Sequence, residues 1–445
     1  MVPLNTWTNQ NSSSRFIHSM WKIFYNLILL PLTWIGIRVF ASFNRKVRRG
    51  LRGRKNSLVR MEERLKNKPD ENRLWIHASS MGEFEQAKPI IEALKSIAPH
   101  ITVIASFFSP SGYENNLRYP FADHITYLPF DSRRSIRKFL DVMNPSITAF
   151  IRYDLWPNAV WESQRRGIPI ILTNATLGKR STRRFPLIRS FHFSMYNALQ
   201  SILTVSEDDV RNFEIFHLTK PEIISIGDTR FDRVKANAES ARQKRLIPDK
   251  ILQNKKVLVI GSSWSEDEEV IIPAILKLRE NISDMLVLIV PHEPTIEHLD
   301  QLEFNLRGRA KCIRFSYLPE YSDESIIIID SIGILVALYA CAQVAFVGGG
   351  FKSNVHNVLE PAAYGIPVLY GPKIENSQEA SLLQQAGGGY VIRKKTDLYR
   401  QLRLFFSDEH ARTDAGTKAA EFVNSRTGAT EKILEHILPY FKEDI

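Results

Sequence analysis

The chain reads as an α/β protein of two similar α/β/α domains with a cleft between them, preceded by an apolar helix. Three observations predict this. At 445 residues it is too long for a single core. Short β-branched runs alternate with helical patterns along most of its length, as parallel sheets with crossover helices require. The stretch Trp21–Ala41, WKIFYNLILLPLTWIGIRVFA, is apolar and of roughly membrane-spanning length. The expected divisions are an anchor with its basic flank over 1–60, a first domain over 61–248 and a second over 249–445.

In the amino-terminal segment, Trp21, Tyr25 and Trp34 supply interfacial aromatics, while Lys22, Asn26, Pro31 and Arg38 interrupt the apolar pattern. The flank Arg45–Lys55, RKVRRGLRGRK, carries seven positive charges and no acid. By the positive-inside rule it stays cytoplasmic, at the inner face of a cell membrane. A tilted span and an interfacial amphipathic helix both fit the segment. A cleaved signal peptide does not, because the basic block lies on the wrong side. The flank also lacks the interleaved aromatics of a nucleic-acid surface, so anionic lipid headgroups fit it better than nucleic acid. Across the chain 59 Lys+Arg exceed 48 Asp+Glu, a formal charge of +11, which implies an anionic partner. Cys312 and Cys341 suit a reducing compartment, and neither has metal-ligand spacing.

The first domain opens with a strand, RLWIHASS from Arg73, and a helix, MGEFEQAKPIIEALKSI. Their junction Ser80-Met81-Gly82-Glu83 matches a capping box, in which Glu83 satisfies the N–H of Ser80. A carboxylate at the carboxyl end of a strand beside a helix start could also serve as a general base for a substrate hydroxyl. The strand ITVIASFF runs into Ser109-Pro110-Ser111-Gly112, a turn with hydroxyls and free backbone donors. HITYLPFD ends at Asp131, SITAFIRYDLWPN delivers Asp154, and IPIILTNATL runs into GKRSTRRF with Lys179, Arg180, Arg183 and Arg184. Four strands thus place polar or basic groups at their carboxyl ends. That basic loop reads as a solvated surface or, at a cleft mouth, as a binder of phosphates. EIISIGDTRFDRV closes the domain with Gly227-Asp228-Thr229-Arg230.

The polar segment 236–256 reads as the connector. VLVIGSSW then runs into Gly261-Ser262-Ser263, and Ser265-Glu266-Asp267-Glu268 reads as a second capping box whose acids need no chemistry. MLVLIVPHEP runs into Pro291-His292-Glu293-Pro294. The stretch Ser325–Pro372 organises the domain: a strand, a short helix, the strand Val344–Val347, Gly348-Gly349-Gly350, a helix opening near His356–Glu360, and a last strand into Gly371-Pro372. Triple glycine after a parallel strand lets a ligand approach the backbone, and a helix start favours phosphate. Asn357 and Glu360, at i and i+3, can reach one ligand, with a carboxylate suited to a ribose diol. A glycine turn without a ligand is the competing reading, since the spacing is neither G-x-G-x-x-G nor a Walker loop.

The ordered set HASSMGE (77–83), Ser-Pro-Ser-Gly (109–112), LPFD (128–131), DLWPN (154–158), NATLGKRS (174–181), GDTRFD (227–232), GSS (261–263), PHEP (291–294), DSIG (330–333) and FVGGGFKSNVHNVLEPAAYGIPVLYGP (346–372) resembles the 3-deoxy-D-manno-octulosonic acid (Kdo) transferases of lipopolysaccharide synthesis. The resemblance covers most of the chain and implies the GT-B fold, two Rossmann-like α/β/α domains facing a central cleft. It implies inverting transfer of Kdo from CMP-Kdo to the lipid A precursor, with Glu83 as catalytic carboxylate and no cofactor or metal. It puts Asn357 and Glu360 on the CMP moiety, with Gly333, Pro291 and His292 on the cytosine side. Ser262, Ser263, Gly349 and Gly350 complete the implied donor site. On the acceptor side stand Ser80, Gly82, Ser109, Ser111, Asp154 and the basic loop Lys179, Arg180, Arg183 and Arg184. Arg230 falls where the family carries a basic residue. Asp154, Trp264, His292 and Asn354 depart from the family's commonest pattern, where glutamate, histidine, arginine and glycine are usual. Two other readings compete: another membrane-associated GT-B enzyme, and a non-catalytic anionic-lipid-binding protein with a degenerate nucleotide cleft.

Overall fold

The computed structural model describes residues 19–66 and 72–442. The first eighteen residues of the expected 1–60 segment therefore lie outside the described residues. The chain divides into two compact units, Met1–Arg233 with Gly428–Ile445, and Val234–Thr427.

The first unit is built on β1 (Arg73–Ala78), β2 (Thr102–Phe107), β3 (His124–Tyr127), β4 (Ile147–Ile151), β5 (Ile170–Ala175), β6 (Ser201–Thr204) and β7 (Glu222–Ser225). The order is β3-β2-β1-β4-β5-β6-β7, and the paired strands run parallel. β1, β2, β4 and β5 are buried at every residue, which is why they read as continuous apolar runs instead of alternating ones. Successive side chains of β1 enter opposite cores: Trp75 packs with Phe139 and Phe150, while Leu74 and Ile76 pack with Phe84, Ile90 and Leu94.

The second of those cores also contains Ala429, Ile433, Leu434 and Ile437, from the helix Ala429–Ile437. This amphipathic helix returns to the first unit although the sequence expectation placed residues 249–445 in the second domain. Asp232 fixes its start, accepting from Gly428 N (2.7 Å), Thr430 N (2.8 Å) and Thr430 Oγ1 (2.7 Å). The other junction lies at 233/234, whereas the sequence expectation put it at 248/249. The reason is the helix Thr229–Arg242, whose later turns contact the second unit: Tyr364 donates to the carbonyl of Ala238 (3.3 Å), and Arg242 lies over the Tyr364 ring.

The second unit repeats the plan with β8 (Lys256–Ser263), β9 (Met285–Pro291), β10 (Cys312–Arg314), β11 (Ile326–Ile328), β12 (Val344–Val347), β13 (Val368–Tyr370) and β14 (Gly389–Val391). Its all-parallel order is β10-β11-β9-β8-β12-β13-β14. Strand order reverses between β1 and β4 in one sheet and between β8 and β12 in the other, the places where open α/β sheets bind ligands.

The amino-terminal helix runs over Ser19–Phe43, 25 residues whose most apolar 18-residue window has a mean hydropathy of 1.7 and is 6% buried. Leu27, Leu32, Ile35, Val39, Phe40 and Phe43 are all exposed. The helix does not leave the first unit. Trp21 donates to Ser190 (2.9 Å), Tyr25 to Asp131 (2.8 Å), and Asn26 exchanges amide hydrogen bonds with Asn158. Beyond its far end, Arg54 of the helix Arg45–Arg54 donates to the carbonyls of Leu128 and Phe108. The start of this helix and the helix that follows it are thus both held on the first unit.

Candidate active site

At the reversal between β1 and β4, Glu83 and Asp154 come together. Ser80 caps the helix Met81–Ile97, its hydroxyl accepting from Glu83 N (3.3 Å), as the capping box predicts. The Glu83 carboxylate uses a single oxygen in return: Oε2 accepts from Ser79 N (2.7 Å) and Ser80 N (3.2 Å). Oε1 makes no hydrogen bond among the described residues. The cap and the base readings are therefore compatible in one side chain, with one oxygen anchoring and the other open. Burial raises the Glu83 pKa above the ordinary glutamate value, and the Asp154 charge adds to this; the two backbone N–H groups and His77 oppose it.

The surroundings were only partly anticipated. His77, fully buried on β1, has Nδ1 2.8 Å from Ser106 Oγ and Nε2 3.7 Å from Asp154 Oδ2. Ser79 supplies the shorter hydrogen bond to Glu83. Neither residue was singled out, although both stand inside HASSMGE. Gly82 sits exposed in the helix's first turn. Ser109 caps the next helix, Pro110–Asn116, through Gly112 N (3.0 Å); its hydroxyl lies 3.4 Å from that of Ser111, and its N–H donates to Ser79 O (2.9 Å). Trp156 donates to Asp154 (3.2 Å) and packs on Phe108. Next to Asp154, Tyr153 carries the Arg183 guanidinium over its ring at 4.6 Å. Lys179 and Arg180 are exposed, whereas Arg183 and Arg184 donate to Tyr196 and Asn212. Arg230 is engaged by Asp228 through Nε (2.8 Å) and a terminal nitrogen (2.7 Å). An apolar cavity of about 640 Å³ opens beside Ser109, walled by Ile37, Phe40, Val47, Leu51, Phe108 and Phe130.

In the second unit the carboxyl ends of β8, β9 and β12 gather Ser262, Ser263, Pro291, His292 and the glycine turn. Here the turn reading changes. Gly349 has φ +89°, and a Cβ there would lie 2.3 Å from Asn354 O; at Gly348 it would lie 2.2 Å from Ser262 O. The glycines therefore admit the protein's own backbone, and ligand access is not what requires them. Asp267 fixes the turn, accepting from Gly349 N (2.7 Å) and Phe351 N (3.1 Å). It also accepts from Trp264 N (3.0 Å), which makes Trp264 the residue before the helix Ser265–Arg279, one position earlier than expected. Glu268 accepts the hydroxyl of the buried Ser263 (2.7 Å) and also bonds His298. The first-turn acids thus organise the site as well as the helix.

The helix expected near His356–Glu360 is a single turn, Leu359–Ala362, so it offers little dipole for phosphate. Asn357 and Glu360 do meet, Asn357 Nδ2 donating to Glu360 Oε1 (3.0 Å). Gly333 has φ +82° with open space around it. Two departures from the family pattern, Trp264 and His292, assemble with His356: His292 and His356 stack at 4.3 Å, Trp264 lies tilted against His292 at 4.6 Å, and Lys352 Nζ is 3.3 Å over the Trp264 ring. Trp264 Nε1 lies 3.0 Å from His356 Nε2. An indole N–H can only donate, so Nε2 is the bare nitrogen and the proton of neutral His356 is on Nδ1. Burial, with His292 beside it, pushes the His356 pKa down to about 4.

Two all-parallel seven-stranded sheets, each with polar groups collected at its order reversal, define a protein of GT-B-like fold. A solved structure of similar fold is a putative UDP-N-acetylglucosamine 2-epimerase from Listeria monocytogenes (TM-score 0.58, 15% identity, 84% of this chain and 98% of that one). The UDP-GlcNAc 2-epimerase of Neisseria meningitidis bound to UDP-GlcNAc is likewise similar (TM-score 0.57, 16% identity, 82% and 100%). At these identities the likeness concerns the fold alone. The family model described as 3-deoxy-D-manno-octulosonic-acid transferase matches residues 58–233. The 3-deoxy-D-manno-octulosonic acid transferase of Haemophilus influenzae is 25% identical over 96% of this chain and 100% of its own. That of Chlamydophila psittaci is 27% identical over 82% and 84%. With the ordered motifs, these matches make the chain similar to the Kdo transferases over most of its length.

Proposed function

We propose that this protein transfers Kdo from CMP-Kdo to a hydroxyl of the lipid A precursor, with inversion at the anomeric carbon. The observation that carries the reading is Glu83: a buried carboxylate with one oxygen held by two N–H groups, the other without a hydrogen bond among the described residues, and a raised pKa. Oε1 takes the proton of the acceptor hydroxyl as that oxygen attacks the anomeric carbon. The bond from that carbon to the phosphate oxygen breaks, and CMP leaves with the electron pair. One carboxylate on the attacking face is what a single displacement needs. Asp154 and His77 hold the electrostatics of the base.

The first unit takes the acceptor. The cavity beside Ser109 suits an acyl chain, and Lys179, Arg180 and Arg183 suit its phosphates. The second unit takes the donor, with Asn357 and Glu360 on the nucleotide and neutral His356 offering Nδ1–H to an oxyanion. The amino-terminal helix lies in the membrane interface at the cytoplasmic face of the inner membrane. The docked start, the docked helix that follows and an exposed apolar flank favour this over a span.

Glu83→Gln tests the base. It keeps the size and the helix cap but cannot take a proton, so CMP release in the presence of acceptor falls by roughly 10²–10⁴-fold. Unchanged turnover in that variant contradicts the assignment.

A further inference from the structure

The first unit carries a second cation-rich site that the transfer reaction does not use. Glu162, on the helix Pro157–Arg165, is nearly buried and accepts from three guanidinium groups. These are Arg133 Nε (2.8 Å), Arg137 Nε (3.0 Å) and Arg165 Nε (2.7 Å). Each arginine engages it through Nε, and among the described residues the terminal nitrogens of all three make no hydrogen bond to it. Three positive charges on one carboxylate leave an excess, and Lys22 adds to it. Lys22 forms no ion pair among the described residues and lies 5.8 Å over the Trp161 ring.

Lys22, Arg133, Arg165 and Glu162 line a cavity of about 310 Å³ together with Asn26 and Trp161, with Ile23 and Leu27 on its rim; Arg137 is not part of the lining. Ile23 is 59% exposed and Leu27 71%, and the exposed apolar face continues along the helix through Ile28 and Leu32. A soluble anion would have no use for that rim. The volume stands at the low end for small-molecule pockets, enough for a headgroup but not for lipid chains as well.

We propose that this cavity binds the phosphate of an anionic membrane lipid, with Arg133, Arg165 and Lys22 on the phosphate and the acyl chains running outward along Ile23 and Leu27. It would anchor the docked end of the helix Ser19–Phe43 to the bilayer. The claim does not depend on the Kdo reaction.

Co-sedimentation of the full chain with phosphatidylcholine vesicles, with and without phosphatidylglycerol, tests it. Arg133→Gln/Arg165→Gln should weaken binding to the anionic vesicles by roughly 20-fold or more, taking about fivefold per lost cation near a membrane surface. Arg400→Gln/Arg403→Gln, which removes equal charge from the exposed face of Lys395–Ser407, should change it less than twofold if that field is diffuse. Lys22→Gln breaks no ion pair and should cost about fivefold, so the outcome does not hang on how well the double variant folds. Equal losses at both arginine pairs, or none at Lys22, would overturn the proposal. Competition by millimolar inorganic phosphate, with phosphate binding in the absence of vesicles, would identify a free-anion site and overturn the lipid assignment.

Discussion

Glu83 meets a structural demand and, in the proposed mechanism, a chemical one. Its Oε2 holds the start of a helix, and this rigid attachment aims Oε1 without a further partner. Its raised pKa has a consequence with a definite sign. A base acts only when deprotonated, so the acidic limb of the pH–rate profile should lie above the ordinary glutamate value, activity falling as the pH drops through it. Asp154 is a named cause of the rise. Asp154→Asn should therefore move the limb to lower pH; a limb that stays in place, or moves upward, would remove Asp154 from the electrostatics of the base. In the second unit Trp264→Phe keeps the ring but deletes the indole N–H. The Nδ1–H form of His356 then loses its fixing contact, and nitrogen NMR should show a tautomer mixture together with weaker CMP binding. An unchanged Nδ1–H signature would show that the ring stack, not the hydrogen bond, sets the tautomer. The sequence offered Asn357 and Glu360 as candidates through their spacing, and Glu83 as a helix cap by its spacing, preferred as a base only through the family resemblance. It did not disclose His77 or Asp267, because a buried histidine and a first-turn acid look the same whether they shape a site or merely fill a structural place.

At the scale of elements, the strands were the most legible parts, since parallel strands covered on both faces read as continuous apolar runs; Val344–Val347 was anticipated residue for residue. The turns were less so. Three consecutive glycines suggested an open approach for a ligand, yet Ser262, distant along the chain, and Asn354, from the same loop, occupy that space. The last helix escaped assignment for a related reason: its amphipathic pattern shows that it packs, not on which unit. Ile433, fully buried beneath Met81–Ile97, tests that packing. Ile433→Ala should lower the stability of the first unit by about 2–5 kcal/mol, read from the urea midpoint of its unfolding. A loss under about 1 kcal/mol would mean that the helix is peripheral to that core.

For the whole molecule, composition announced an anionic partner and a membrane, and the structure adds where the positive charge stands. Some surrounds Glu162 beside the exposed flank of the amino-terminal helix, and some lies in the loop after β5 near Asp154. Whether the helix spans or lies flat was not legible, because hydropathy reports length and not docking. The hydrogen bonds of Trp21, Tyr25 and Asn26 at one end and of Arg54 beyond the other are the docking observations that support the flat arrangement proposed above. The central claim concerns what the assembled chain does to a lipid. Its most direct test is mass spectrometry of the lipid A precursor after incubation with the purified full chain and freshly prepared CMP-Kdo, with Glu83→Gln in parallel. The account predicts a gain of one or more Kdo units with the wild-type chain and none with the variant. A folded, membrane-bound wild-type protein that leaves the lipid mass unchanged would contradict it.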